Sequence, residues 1–463
     1  MGDYQLGIAG LGVMGKNLAL NFASKGFKTA VFNRTENITE EFISKHKDAN
    51  IKGAFSLKDF ISLLGRPRVI VLMVTAGQAV DSMIDNMLPL LEEGDIIVDA
   101  GNSYFKDTMR RSESLSKKGI LFAGIGISGG EEGALKGPSI MAGCSQEAWQ
   151  VIAPMFSSIS AKAYDGSPTC DRMGPDGSGH YVKMVHNAIE YIDMQLISEV
   201  FHIMQHAGYT YSEMADLFEN WNKGDLESYL IQITSKILRK KDSETGRSIL
   251  DVIMDTAEQK GTGLWAAESS MELGVPVYSI AASVYSRFMS SRKEERVEAS
   301  KHRPKSVKIE VDEDQLHDAL YASKICAYSQ GFYLLSEASR FYKWGIDNAA
   351  VAHIWQGGCI IRARLLQNVE DAFRDKQLKN LLLDPFLLKS VVEKEKAWRN
   401  LVSAAIDAGI PVPGMSSALS YYDGYFTSRL PANLIQAQRD YFGAHTYTRV
   451  DRQGSFHTEW ERD

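Results

Sequence analysis

Apolar residues along this chain change their period part-way through. In the first third they come in short runs: Leu6–Ala9, Thr29–Phe32, Val69–Val74, Asp95–Asp99 and Ile120–Ala123. Helical or loop segments separate these runs. That alternation predicts buried strands in a parallel, doubly wound sheet with right-handed crossovers. Past the linker-like Gly174–Gly179 ("GPDGSG") strand signals mostly vanish. Asn187–Gln205, Leu320–Phe341 and Asn348–Gln367 show helical spacing, and Gly208, Gly274, Gly345 and Gly409 each follow an apparent helix, as C-terminal cap glycines do. The pattern predicts an α/β domain over 1–177, a large all-helical domain over 178–433 and a tail over 434–463. The tail is rich in aromatics, Arg and His, and reads as a segment that docks on a partner subunit.

Glycines after the first run give the sheet a ligand. Gly10, Gly12 and Gly15 form G-x-G-x-x-G between the Leu6–Ala9 strand and a helix read as Asn17–Ser24, with Gly26 as its stop. In this strand–turn–helix setting the first glycine allows the tight turn, and the second lets backbone approach a pyrophosphate. The third lets helix pack on strand, and the helix N-terminus attracts the anion. The first domain is therefore Rossmann-like. Where an NAD enzyme usually places an acid at the end of strand two, this chain has Asn33-Arg34-Thr35. Arginine suits a 2′-phosphate, so NADP is favoured over NAD. Ligands of such sheets sit beyond the carboxyl ends of the strands, which here are Thr75–Gly77, Ala100–Ser103 and a glycine-rich loop at Gly124–Gly133 in which Ser128 can donate.

Bulk properties remove several other classes. The chain has 463 residues, 24% of them charged, and a net charge of −7. No long basic stripe is present, so nucleic acid is not expected as a partner. The run Ser300–Lys308 reads as a solvated loop. Apolar runs are too short to span a bilayer, and the N-terminus lacks the basic region of a secretory signal, so a soluble cytoplasmic protein is expected. Four scattered cysteines read as free thiols, not a metal site. His202 and His206 stand four apart, but Ile203 occupies the place where H-E-x-x-H needs glutamate.

The stretch "GHYVKMVHNAIEY" (Gly179–Tyr191) carries the most chemistry. On a helix, Lys183, His186, Asn187 and Glu190 fall within an arc of roughly 100°, with apolar residues around the remainder. A polar stripe is ordinarily a solvated face. This one holds four different functional groups and follows the junction with a nucleotide domain. With Ser178 as cap, Lys183 would lie near the helix N-terminus, where dipole and burial both disfavour its ammonium form. A neutral lysine suits a general base, and a desolvated Glu190 a general acid.

Here the sequence resembles the 6-phosphogluconate dehydrogenase family. The resemblance runs through "GLGVMGKNLALN", "FNRT", "AGQAV", "DAGNS", "SGGEEGA", "GHYVKMVHNAIEY", "DMQLISE", "QKGTG", "SSRKEER" and "LPANLIQAQRDYFGAHTY". It implies a metal-free oxidative decarboxylation of 6-phosphogluconate with NADP, in a homodimer whose tail threads into the neighbour. Lys183 would be base and then acid, and Glu190 the acid that protonates the enediol. Asn102, Ser128, Gly129, Gly130, His186 and Asn187 would surround the sugar-acid end. Tyr191, Lys260 and Arg287 would hold the phosphate, joined by Arg439 and His445 from the other subunit. Gly10, Leu11, Gly12, Val13, Met14 and Gly15 would hold the cofactor, with Asn33, Arg34, Thr35, Val74, Thr75, Ala76 and Asn102. The chain departs from many members at Thr75 and Leu264, where they carry lysine. Weighed beside this are a β-hydroxyacid dehydrogenase acting on an unphosphorylated acid, and a silent NADP-binding scaffold, which would be expected to lack Lys183 or Glu190.

Overall fold

A computed structural model of the chain describes residues 2–47, 50–259, 261–302, 307–374 and 378–461. Residues 303–306 of the basic run lie outside them, as does Lys260. The first part is an eight-stranded sheet of β1 (Leu6–Ala9), β2 (Thr29–Phe32), β3 (Ile51–Ala54), β4 (Val69–Leu72), β5 (Ile96–Asp99), β6 (Leu121–Ser128), β7 (Ser139–Cys144) and β8 (Cys170–Gly174). Its order is β3-β2-β1-β4-β5-β6-β7-β8. All neighbours are parallel except β6 and β7. Helices cover both faces, and each face has its own apolar core. The chain leaves β3 at one edge and returns beside β1, so the order reverses between β1 and β4. A crevice opens at such a switch point, beyond the strand ends.

Three strands escaped the periodicity. β3 and β8 are edge strands whose sequences, IKGA and CDRMG, mix glycine with charge, and β7 (SIMAGC) is built from small residues. The expected loop at Gly124–Gly133 is no loop. β6 runs on to Ser128 and a helix, Gly130–Lys136, follows. The glycines of β6 serve close packing. A Cβ at Gly126 would lie 2.3 Å from the Cβ of Lys183, and one at Gly124 would lie 2.4 Å from the Thr108 methyl. From the other side, a Cβ at Gly179 would lie within 2.5 Å of backbone atoms of Gly124, Met141 and Gly143.

That seam seats the 30-residue helix Ser178–Ala207 directly on the sheet. Gly174 ends β8 and Ser178 opens the helix, so the linker-like stretch is a tight corner. Ser178 does not cap it: Gly177 stands at the N-cap, and the Ser178 hydroxyl is buried without a hydrogen-bond partner. Val182, Val185, Ile189, Ile192 and Leu196 are fully buried in the helical core, each stabilising by about 1.5–3 kcal/mol. The remainder is helical, including Tyr278–Ser291, Glu313–Tyr342 and Pro385–Asp407. Gly208 and Gly274 take the left-handed cap conformation. The expected helix Asn348–Gln367 is instead Asn348–Ile354 and Leu365–Arg374. Between them Gly358, at φ 67°, brings its carbonyl to the N–H of Ser139 at 2.9 Å, a strand contact that a continuous helix could not make.

The tail has its own order. Ala432–Gly443 is helical, and Tyr447 pairs with Phe456. Asp440, fully buried, accepts hydrogen bonds from the backbone N–H of Thr446 and Thr458 and from the Trp460 indole. Among the described residues no helix is long and apolar enough to cross a membrane.

Candidate active site

The stripe on Ser178–Ala207 faces inward. Lys183 and His186 are buried, Asn187 and Glu190 half-buried. The glycine seam places Lys183 against Gly126 of β6, two residues before Ser128 at that strand's end. Burial pushes the Lys183 ammonium below its ordinary pKa, while the Glu190 carboxylate opposes this. Burial also pushes the Glu190 carboxyl above its usual range, against the charges of Lys183 and Arg287. Each group is thus biased towards its neutral form. Among the described residues no carboxylate lies within ion-pair distance of Lys183.

A relay of hydrogen bonds lines the same wall. Burial, then the Lys183 charge, holds His186 well below the usual imidazole pKa, so its ring is neutral. His186 Nδ1 lies 3.0 Å from Asn187 Oδ1, and Nε2 lies 3.2 Å from Ser128 Oγ. An amide oxygen only accepts, so Nδ1 carries the proton and Nε2 accepts from Ser128. The Ser128 hydroxyl proton, expected to be free for a ligand, is committed to the ring. Asn187 Nδ2 donates to Thr262 Oγ1 at 3.3 Å. Thr262, which begins the helix Thr262–Leu273, did not stand out in the sequence beyond its glycine-flanked "QKGTG" context. Gly129 and Gly130, at φ 123° and 61°, carry the turn from β6 into the next helix.

One turn on, Tyr191 is buried and the Arg287 guanidinium stacks 3.4 Å above its ring. Arg287 also donates to the Glu258 carbonyl at 2.9 Å. Arg439 and His445 do not join this pair. Both are exposed, Arg439 donating to Gln436 and His445 packing on Phe442. The tail helix also leaves Leu434, Ile435, Tyr441 and Phe442 more than half exposed.

The other wall is the β1/β4 crevice. A Cβ at Gly10 would lie 2.4 Å from the Met73 carbonyl, and one at Gly15 would lie 1.9 Å from the Gly10 carbonyl. Gly12 has nothing within 4 Å of its Cβ position, and it stands at the N-cap of Val13–Ser24 with no side-chain cap. Leu11, Val13 and Met14 complete this turn. Asn33 Oδ1 accepts from the Leu11 N–H at 3.0 Å, tying the glycine turn to the end of β2. Arg34 and Thr35 are exposed beside it, and among the described residues Arg34 makes no ion pair. An open turn, a bare helix N-terminus and an unpaired guanidinium fit a pyrophosphate and a 2′-phosphate. Val74, Thr75 and Ala76 follow β4, and Asn102 follows β5; Thr75 and Asn102 are exposed. Leu264 is half-buried beside Trp265, whose ring lies 5.1 Å from Tyr104.

Two family models divide the chain between them. Residues 5–170 match the NAD binding domain of 6-phosphogluconate dehydrogenase and residues 179–460 its C-terminal domain. An NADP(+)-dependent, decarboxylating 6-phosphogluconate dehydrogenase of Bacillus subtilis is 51% identical, covering 99% of this chain and 100% of that one. The decarboxylating enzyme of Rattus norvegicus is 49% identical, over 99% and 97%. The chain belongs to the 6-phosphogluconate dehydrogenase family. A solved 6-phosphogluconate dehydrogenase from Plasmodium falciparum superposes with a TM-score of 0.95 at 41% identity, covering 98% of this chain and 100% of that one. That protein was solved in its apo form, with its cofactor NADP+ and with its substrate 6-phosphogluconate. Family membership agrees with the order of the chain here, a glycine-turn nucleotide domain followed by the helix that carries the buried polar stripe.

Proposed function

We propose that this chain oxidatively decarboxylates 6-phospho-D-gluconate to D-ribulose 5-phosphate and carbon dioxide, reducing NADP to NADPH. One observation carries the reading. Lys183 is buried and Glu190 half-buried, both are biased to the neutral form, and they stand two turns apart on one helix beside the Ser128–His186–Asn187 relay. Neutral Lys183 takes the proton from the 3-hydroxyl as hydride leaves carbon 3. The bound nicotinamide supplies the hydride acceptor. The β-keto acid loses the carboxylate, and the electrons of the broken C1–C2 bond flow towards the 3-oxygen, which takes its proton back from Lys183. Glu190 then protonates the terminal carbon of the enediol while the enol hydroxyl gives its proton to the neutral Lys183, leaving the ketose. Asn102, Ser128, Gly129, Gly130, His186 and Asn187 position the acid end. Tyr191 and Arg287 hold the phosphate, with Lys260.

The chain divides in this reading into a nucleotide domain (1–177), a helical domain (178–433) and a tail (434–463), and works in the cytoplasm. The exposed apolar tail supports a homodimer in which Arg439 and His445 of the partner subunit complete the phosphate site. A β-hydroxyacid dehydrogenase acting on an unphosphorylated acid is not favoured, since the curated relatives align over nearly the whole chain, tail included. The test is incubation of the purified protein with 6-phosphogluconate and either NADP or NAD. One carbon dioxide per NADPH is expected, with NADP preferred through Arg34. Reduction of neither nucleotide refutes the proposal.

A further inference from the structure

Two of the loops assigned to the cofactor and substrate share one buried cation. Arg111, on the helix Phe105–Ser116, is 2% exposed. Its Nη2 donates to the Gly77 carbonyl at 3.0 Å, and its Nε and Nη2 form a fork with the Asp81 carboxylate at 2.8 and 3.1 Å. Gly77 closes the loop Val74–Ala76, and Asp81 lies in the first turn of the helix that follows. Nη1 reaches the other loop, meeting Asp99 Oδ2 at 3.3 Å and Ser103 Oγ at 3.4 Å. Asp99, at the end of β5 and fully buried, accepts from the Gly101 N–H at 3.2 Å and from the Ser103 hydroxyl at 2.7 Å. Asn102 stands between those two residues, exposed to the crevice. The loops also touch: a Cβ at Gly101 would lie 3.2 Å from the Val74 carbonyl.

We propose that Arg111 is a positioning residue for the reacting end of the cofactor: its guanidinium fixes the spacing between the Val74–Ala76 backbone and Asn102. This role rests on the function proposed above. Only a planar, five-donor fork can serve a carbonyl, a carboxylate fork and a second carboxylate together; a lysine is a point charge and cannot. A buried ion pair kept for the fold alone would behave differently. Replacing it with an apolar side chain of similar volume is often neutral or stabilising, and nothing in that case would single out the nucleotide.

The test compares Arg111→Lys and Arg111→Met with the parent, all as full chains. Calorimetric titration gives the dissociation constants of NADP and, separately, of 6-phosphogluconate. Turnover of 3-deuterated substrate gives the primary isotope effect on kcat/KM. The expected result is NADP binding weakened about tenfold, substrate binding weakened less, by about threefold through Asn102, and a larger isotope effect as hydride transfer becomes limiting. Folded variants with parental NADP affinity and isotope effect overturn the role, as does an equal loss of both ligands. If neither variant folds, Ser103→Ala, which removes a single arm, decides by the same readouts with a smaller shift of about threefold. A parent that binds NADP but releases no carbon dioxide would refute the proposed activity, while the NADP titrations would still judge Arg111.

Discussion

The two ends of the proposed substrate pocket are built to different plans. At the acid end everything meets within one chain: β6 and the helix Ser178–Ala207 touch through glycines, and Ser128, His186, Asn187 and Thr262 form one hydrogen-bonded line. At the phosphate end Arg287 lies flat on Tyr191, while Arg439 and His445 stand apart on an exposed apolar tail. Proton transfer tolerates little misplacement, so its groups sit on rigid, buried elements. Phosphate recognition needs mainly charge, and charge can be contributed by a second subunit. One chain would then perform the chemistry, and two would grip the substrate.

The sharpest way to break this contrast is at its ends. Lys183→Ala should lower kcat by about 10³-fold or more while NADP still binds, as fluorescence titration would show; near-parental turnover removes the base assignment. Arg439→Ala should raise the KM for 6-phosphogluconate by about 10–100-fold, with kcat much less affected in steady-state assays. Mixing the two defective chains probes both ends together. In a two-fold dimer with shared sites, each mixed dimer holds one site with both residues intact, so at substrate well below the KM of the Arg439→Ala chain about a quarter of parental activity should return. No recovery, with subunit exchange verified by mass, means the site is not shared.

Smaller effects test the seam and the electrostatics. Gly126→Ala drives a methyl into the Lys183 side chain and should cost about 1–3 kcal/mol in denaturant unfolding, with kcat falling as well. Unchanged stability would mean that the seam can relax. Glu190→Gln should move the acid limb of the kcat/KM profile for NADPH formation to lower pH. The sign follows from the Glu190 carboxylate, which holds the Lys183 pKa up; without it the lysine loses its proton more readily. A shift to higher pH, or none, contradicts the coupling.

The glycine turn after β1 was legible in part because it is local: Gly15 is crowded by the carbonyl of Gly10, five positions back, although Gly10 itself meets the distant Met73. The stripe was legible as a face, and burial was expected for Lys183 and Glu190, but the contacts that produce it were not. What turns it inward is the pairing of Gly124 and Gly126 with Gly179, which only the fold brings together. For the same reason the glycines of β6 read as a loop. Thr262 and Arg111 escaped notice because their roles depend on partners far along the chain. The break after Ile354 was hidden too, since the contact of Gly358 with Ser139 is long-range.

Ser178–Ala207 is one unbroken helix, and its consequence is metrological. Seven residues separate Lys183 from Glu190, an axial distance of about 10 Å fixed by helical rise. The nucleotide wall can shift, open or exchange its occupant without changing that interval. In the proposed mechanism the helix would keep base and acid at one fixed interval while both reach into the same pocket.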